Sequence, residues 1–497
     1  MYTKLDSIVV LLYLIKGGFA VFRYWTIVLG MLCLMFSFLG PLLSARADIK
    51  PTGDVSPSNP STWNSSTYGY IGESAYGALT VDGGSDLVSY VGGIGLNSYA
   101  TGIMTINGLG STWTTSDLYV STRGVGTLSI ANGGSVSSNW AYVGGTLGVA
   151  TVDGTNSTWT NSGQLNVGIW SGSGTLFIKN GGIVNSYRSY LSFNSGNNSA
   201  MGVAIVEGAG STWTTQENFF IGSAGSGTLS IAGGGSVAAA NLSIYSTSLL
   251  NVDVGRGSLL KINSDYGTII NNGMIRILAG AGVPVDDSIR YSPISAGSWG
   301  GMGTYQAVGG TWNATGHTFT ASSVTSGTSG SAISLNLASV QRTLFDDNGP
   351  GKTNWEVGAS FVAAPNAMNM TFTATAMSNT TLDLLRTMLP TNKSVLSGWE
   401  FSTTNYAVNS SNPVYLSFKV GAGYSADELD LWHYDGSYWM KYVPADLTYD
   451  GAYASFTAAS FSGYAMTAVP EPGIFALLAT GLIGLLAYTW RRRKRGA

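Results

Sequence analysis

Residues 110–136 read GSTWTTSDLYVSTRGVGTLSIANGGSV, and the reading of this stretch decides the fold. Its first phrase, Gly110-Ser111-Thr112-Trp113-Thr114, returns as Asn156-Ser157-Thr158-Trp159-Thr160 and as Gly210-Ser211-Thr212-Trp213-Thr214, with a weaker copy at Pro60-Ser61-Thr62-Trp63-Asn64. Its second phrase, Gly126-Thr127-Leu128-Ser129-Ile130, returns as Gly174-Thr175-Leu176-Phe177-Ile178 and Gly227-Thr228-Leu229-Ser230-Ile231. Each second phrase runs into a Gly-Gly turn and then Val or Ile: Val136, Val184, Val237. The tryptophans lie 50, 46 and 54 residues apart, and strand-like openings near Tyr70, Tyr90, Leu118, Ala141, Leu165, Tyr190, Phe219 and Leu242 halve that period. Alternation of period two argues strand, and no ten-residue window here has helical periodicity. One such unit cannot bury its apolar face alone, whereas a pile of them can. The expectation is an all-β chain built on a right-handed parallel β-solenoid of about eight coils over roughly residues 60–262. Coils about 4.8 Å apart would make a rod on the order of 40 Å. Gly-Gly pairs suit the corners, where φ must be positive.

Working outward, residues 263–349 read as a transitional β region and linker. The turn cluster Phe345–Lys352 marks a boundary. Beyond it Met368, Met370, Phe372, Ala374 and Ala376 alternate, and Asp435-Gly436 sits between two strand-like runs, a hairpin signal. Residues 350–467 are therefore expected to form a small antiparallel β-sandwich, with one short helix at Leu382–Leu389 ended by Pro390. Residues 48–65 serve as leader and N-cap, and 66–262 as the repeats.

The two ends carry address labels. Thr26–Leu43 is apolar, follows Lys16 and Arg23, and ends in Ala45-Arg46-Ala47, a small-residue cleavage pattern. Residues 1–47 are expected to be a signal peptide cut before Asp48, with Ile8–Ile15 as an extended n-region or a sign of a later start. At the other end Pro470-Glu471-Pro472 precedes an apolar run, Ile474–Trp490, and then Arg491-Arg492-Arg493-Lys494-Arg495. Seventeen apolar residues are at the lower limit for a single transmembrane helix, and the basic cluster belongs on the cytoplasmic side. These three parts in this order resemble the PEP-CTERM sorting signal of exopolysaccharide-producing Gram-negative bacteria. The resemblance covers about the last 28 residues. It implies an exosortase-type processing enzyme as partner, transient anchoring in the inner membrane, and release to the cell surface or matrix. Pro470, Glu471 and Pro472 would be the recognition elements. The repeats in turn resemble passenger-type β-helix repeats of autotransporter-like surface proteins, but no run of alternating strands suited to an outer-membrane barrel follows them.

Composition narrows the chemistry. Only 10% of the 497 residues are charged, and 68 are Gly with just 13 Pro and no strict triplet, so collagen is excluded. Residues 48–469 hold 14 basic and 24 acidic side chains, which argues against nucleic acid as a partner. Cys33 is the one cysteine and lies in the expected signal segment, so the mature chain has no disulfide, thiol catalysis or cysteine-bound zinc. No cofactor and no metal are expected: the calcium β-roll nonapeptide is missing, Asp82-Gly83-Gly84-Ser85-Asp86 alone offers too few oxygens, and His317 and His433 read as exposed strand residues. Gly349-Pro350-Gly351-Lys352-Thr353 is a turn and no phosphate loop.

An enzyme on this fold would need two carboxylates facing one bond. Asp82, Asn107, Asp153 and Glu207 occupy equivalent positions before the turn glycine, but the only basic residues between Lys50 and Arg256 are Arg123, Lys179 and Arg188. A polar ladder is the expected role, and no catalytic residue is assigned. Trp113, Trp159 and Trp213 recur two coils apart, about 10 Å. Facing outward they would stack on sugar rings; facing inward they would be core. The sequence thus points to an exported, non-enzymatic structural or adhesive protein of the cell surface or extracellular matrix that contacts exopolysaccharide. The alternatives are a β-helix polysaccharide lyase or hydrolase, and an autotransporter-like adhesin.

Overall fold

The computed structural model describes residues 48–193, 199–223, 225–280, 289–346, 355–363, 369–409, 411–424, 426–444, 446–458 and 460–469. The signal segment, the tail with its apolar run, and Gly349–Thr353 lie outside the described residues. Among the described residues no helix is long and apolar enough to cross a membrane.

Each coil of the solenoid has a long strand, a tight turn, a short strand carrying Trp, Val or Leu, a bend, and a third strand. The long strands begin with Tyr76–Asp82, Thr101–Asn107 and Val125–Ala131, and eight of them reach Leu249–Asp253. All pair in parallel and in register. Leu79, Met104, Leu128, Ala150, Leu176, Ala204, Leu229 and Leu250 form one inward column, and every member is buried. The ladder runs on through Met274–Leu278 and Thr304–Val308. The rod thus continues beyond residue 262, into the region read from sequence as a transitional β region and linker. Those last coils keep the alternation of Ile275 and Ile277 but lose the Trp and Gly-Thr-Leu phrases that mark the earlier ones.

The repeated phrase is explained residue by residue. Gly110 and Gly210 have φ of +83° and +85°, and Asn156 takes the same conformation at 69°. The following serine is a staple between coils: Ser111 Oγ accepts from Gly84 N at 3.1 Å and donates to the Asn107 carbonyl at 2.8 Å. Ser157 does the same for Gly133 N and the Asp153 carbonyl. The threonines flanking Trp point outward, and the Trp fills the core. A second constraint holds Gly77, Gly102, Gly126, Gly148, Gly174, Gly202 and Gly227 in one column. A Cβ on any of them would lie closer than 3.0 Å to backbone atoms of the adjoining corner. Glycine is required there because two passes of main chain meet with no room for a side chain.

The rod's first edge is covered by Asp48–Gly53, which pairs antiparallel with Tyr76–Asp82 and carries Lys50 and Pro51. Charge and proline blunt a strand edge against further pairing.

Two six-stranded sheets, antiparallel but for one pair, follow from Val324 to Ala468, packed on an aromatic core that includes Phe345, Phe361, Phe372, Phe401, Phe418 and Phe456. The sandwich therefore starts before residue 350. The hairpin at Asp435-Gly436 is present, joining Leu429–Tyr434 to Trp439–Tyr442. The helix is Asn379–Met388, capped by Ser378, whose side chain accepts from Thr381 N, and it stops ahead of Pro390. Two inner strands of one sheet are buried on both faces: Arg342–Asp346 and Val357–Phe361 have no exposed residue, because the rod covers the side turned away from the sandwich core. Tyr415 from that outer side packs with Leu278 and Val308 of the last coils.

Candidate functional site: the outer faces of the rod

Three columns of side chains decide what the rod can do. The first is the tryptophan column. Trp113, Trp159 and Trp213 are 0% exposed and alternate with Val136, Val184 and Val237 on intervening coils. Their indole N–H groups donate to Ser89, Ser138 and Ser186 of the preceding coils at 3.1–3.2 Å. The outward, sugar-stacking option for these three is therefore corrected: they are core, and large and small residues interlock along the column. An inward Trp requires a small partner, and Gly92 supplies it, since a Cβ there would strike the Trp113 ring.

The second is the polar column at the end of the long strands. In register it reads Asp82, Asn107, Ala131, Asp153, Lys179, Glu207, Ala232. Asn180 Nδ2 donates to Asp153 Oδ1, Asn132 Nδ2 to Asn107 Oδ1, and Lys50 pairs with Asp82 at 2.8 Å. Glu207 differs from the rest. It is 3% exposed, and its two oxygens accept from the Ala426 and Tyr449 amides of the sandwich at 3.0 and 2.8 Å. Burial pushes its carboxyl up to about 7, against the pull of those two amides. Beside it Lys179 Nζ lies 2.6 Å from Asp427 and 3.5 Å from Asp153. Burial works against the Lys179 ammonium, but Asp427 and Asp153 hold it above its usual range. Farther along, Arg276 Nη1 donates to Thr457 and lies 3.9 Å from Asp446, and Ser360 donates to the Ala279 carbonyl at 2.7 Å. Asp253 is likewise pushed up to about 7 by burial, opposed by the Gly255 amide. Glu207 and Lys179 of this column, with Arg276 beside it, dock the sandwich on the rod. Outward residues of the early long strands are mostly small and hydroxylic, such as Thr127 and Ser129; those of the covered coils add Phe177, Val203, Ile205 and Arg276.

The third column escaped sequence reading. Tyr70, Gly93, Tyr119, Tyr142, Asn166, Tyr190 and Phe220 share one register position on the third strand of successive coils. The inward neighbours Leu118, Val120, Ala141 and Val143 are fully buried, so the rings of this column face out, half-buried, while Asn166 among them is 0% exposed. Tyr119 and Tyr142 stack at 5.0 Å with planes 9° apart, and Tyr190 and Phe220 at 4.8 Å and 20°. Stacking leaves each ring half-buried, and the resulting desolvation pushes the phenols of Tyr119 and Tyr142 up. Tyr68, Tyr90, Trp140 and Tyr187 stand exposed on the same side of the rod. Its signal in the sequence is the offset from Trp, six residues for Tyr119 and seven for Asn166 and Phe220. A register shift between Asn161 and Gln164, repeated in the next coils, breaks the regularity.

The two histidines are not exposed strand residues. His317 sits in a turn with φ of 49° and its ring stacks on Trp299 at 4.0 Å, while the His433 ring bonds to Ser462 and lies 4.9 Å from the Tyr464 ring.

Comparison with known families gives one match: the PEP-CTERM protein-sorting motif, over residues 468–494. Pro470, Glu471 and Pro472 fall within that segment. No curated protein and no solved structure matches the chain. The motif marks the chain as an exported, cell-surface-associated protein handled by an exosortase-type enzyme, and the exported body contains a β-solenoid.

Proposed function

We propose that this protein is a non-enzymatic component of the cell exterior, a rigid rod that contacts neutral polysaccharide of the envelope or matrix along its tyrosine face. Residues 470–497 direct it there: Pro470, Glu471 and Pro472 are recognised, the apolar run holds the chain at the inner membrane while the enzyme acts, and the body is released outward. The observation that carries the binding reading is the outward aromatic column on an almost uncharged rod. Stacked at the strand spacing, about 4.8 Å, the rings turn their edges and phenol hydroxyls outward, and the exposed Tyr68, Tyr90, Trp140 and Tyr187 beside them add apolar surface. Each contact is weak, and many along one polymer add by effective concentration. The enzymatic alternative would need Asp153 and Glu207 free to face one bond, and Glu207 is committed to the sandwich.

Co-sedimentation of the secreted protein with insoluble uncharged glucan tests the binding. Tyr119→Ala with Tyr142→Ala should lower the bound fraction at least fivefold without unfolding the rod. Equal retention of that variant refutes the tyrosine face. Deleting residues 470–497 should abolish the extracellular pool while export across the inner membrane persists. Depolymerisation of a polysaccharide that Asp153→Asn abolishes would overturn the non-enzymatic assignment.

A further inference from the structure

The far end of the rod carries a feature unlike either face. Thr304–Val308 is the last long strand, and among the described residues it pairs along one side only, with Met274–Leu278, apart from a single bridge from Val308 to Val362. Gly309, at φ +74°, then turns the chain into the hairpin Gly310–Asn313 with Thr318–Ala321. Between this open edge and the hairpin lies a cleft of about 700 Å³ whose lining includes Thr304, Tyr305, Gln306, Thr311, Trp312 and Met274.

Four rings gather here. Tyr305 and Trp312 lie with planes 8° apart and centroids 6.0 Å apart, and behind them His317 stacks on Trp299 at 4.0 Å. Tyr305 occupies the register position that is inward and fully buried in Leu250 and Ile275, yet it is 36% exposed, because no further coil covers it. None of the lining residues is charged. Arg276 lies behind the lining, 6% exposed and engaged on all sides: its Nε donates to Gln306 Oε1 at 2.8 Å, its Nη2 to Met274 Sδ at 3.7 Å, and its Nη1 reaches Thr457 near Asp446. Gln306 in turn donates to the Ser411 carbonyl, so its amide is fixed. Thr304 and Thr311 are exposed, and their hydroxyls have no partner among the described residues.

This combination selects a ligand class. A uronate, sulfate, phosphate or acidic peptide would lose its hydration here with no cation in return. A wholly apolar ligand would leave the hydroxyls and the open strand edge unused. A pyranose ring has one apolar C–H face for an aromatic plane and a rim of hydroxyls that both donate and accept. We propose that this cleft binds an uncharged oligosaccharide, one ring lying against Tyr305 and Trp312, with its hydroxyls bonded to Thr304, Thr311 and the free edge of Thr304–Val308. The proposal rests on the glycan-contact reading above and adds a second, open cleft at the end of the rod to the extended tyrosine face.

The test is titration calorimetry of the secreted protein with soluble uncharged tri- to hexasaccharides (gluco-, manno- and N-acetylglucosamine series), with tryptophan fluorescence as a second readout. At least one series should bind, with a change in tryptophan emission. Tyr305→Ala and Thr311→Arg should each weaken it tenfold or more; Thr311 is exposed, so its arginine fills the cleft without disturbing the core. Tyr119→Ala with Tyr142→Ala should leave oligosaccharide affinity unchanged. Absence of binding across all three series, or binding insensitive to Thr311→Arg, overturns the cleft assignment. So does displacement of the sugar by an uncharged extended peptide at lower concentration, which would make the edge a strand-docking site. Retention of insoluble glucan by wild type but not by the Tyr119/Tyr142 variant would still stand in those cases, so failure of the cleft and failure of the tyrosine face are read separately.

Discussion

Replacing Glu207 by Gln changes one atom's role at the joint between rod and sandwich. In the native side chain each oxygen stands before a main-chain amide, Ala426 N at 3.0 Å and Tyr449 N at 2.8 Å. A protonated carboxyl keeps an oxygen in front of both. Glutamine cannot: whichever way the amide is flipped, its NH₂ meets one N–H, donor against donor. A buried donor left without an acceptor costs about 1–3 kcal/mol. Removing the buried charge offsets part of this, so the net should sit in the lower half of that range. Opening of the joint is then favoured on the order of 5- to 30-fold at about 1.4 kcal/mol per decade. Hydrogen–deuterium exchange at pH 8 reads this directly, as faster exchange at the Ala426 and Tyr449 amides. Protection in the inward columns of the first coils, such as Leu128 and Ile130, should not change. Unchanged or slower exchange at Ala426 and Tyr449 in Glu207→Gln would refute the docking role.

The same residue sets a pH dependence. With the folded carboxyl at about 7 and the ordinary value near 4.5, the folded protein keeps a proton that the unfolded chain has lost. Folding therefore takes up protons between those values. Its contribution is complete below pH 4.5, declines as pH rises, and is lost once pH passes about 7, with a ceiling of about 3 kcal/mol at 1.36 kcal/mol per unit. Asp253 acts in the same sense between its ordinary 3.8 and about 7. The charged groups around Glu207 are Lys179, Asp427 and, on the neighbouring coils, Asp153; around Asp253 they are Asp450 and Arg342. Asp430 opposes at the acid end: although burial pulls the other way, Lys393 and Lys441 hold it below its ordinary range, so its share is lost as pH falls below that range. The midpoint of thermal unfolding should fall from pH 5 to pH 8, with a smaller fall in Glu207→Gln.

Gly174→Ala should destabilise the rod by about 1–3 kcal/mol or more, since its Cβ would overlap the backbone of Gly168 and Val143, whereas Gly300→Ala, with nothing within 4 Å, should be neutral by urea titration. Trp159→Ala should cost about 3–5 kcal/mol, and Trp140→Ala, 38% exposed on the outer side, less than about 1 kcal/mol, both by chemical denaturation.

What could be read from the chain alone follows from where a repeat is enforced. The Ser-Thr-Trp and Gly-Thr-Leu phrases recur because each residue answers a constraint that every coil shares: a positive φ, a staple to the coil below, an inward ring, a corner with no space. Identical constraints leave identical letters, so the solenoid was legible. The sandwich hairpin was legible for the same local reason, since Asp435-Gly436 satisfies its turn whatever surrounds it. Orientation was harder. Alternation places Trp159 opposite its neighbours but does not say which side is in; the folded rod does, with the ring fully buried and its indole N–H donating to Ser138 of the coil beneath. The tyrosine column was hidden because nothing obliges an outward position to repeat: Gly93 and Asn166 interrupt it, and the bulge after Asn161 shifts it by one residue. Glu207 was hidden for a different reason. Its partners lie 219 and 242 residues away, in a domain without repeats, and no local pattern can announce a contact of that span. Sequence periodicity reports the interactions a residue makes with its own copies. The contacts that make one coil unlike the next, the docked carboxyl and the uncovered Tyr305 among them, are those where the repeat fails, and there the search for function begins.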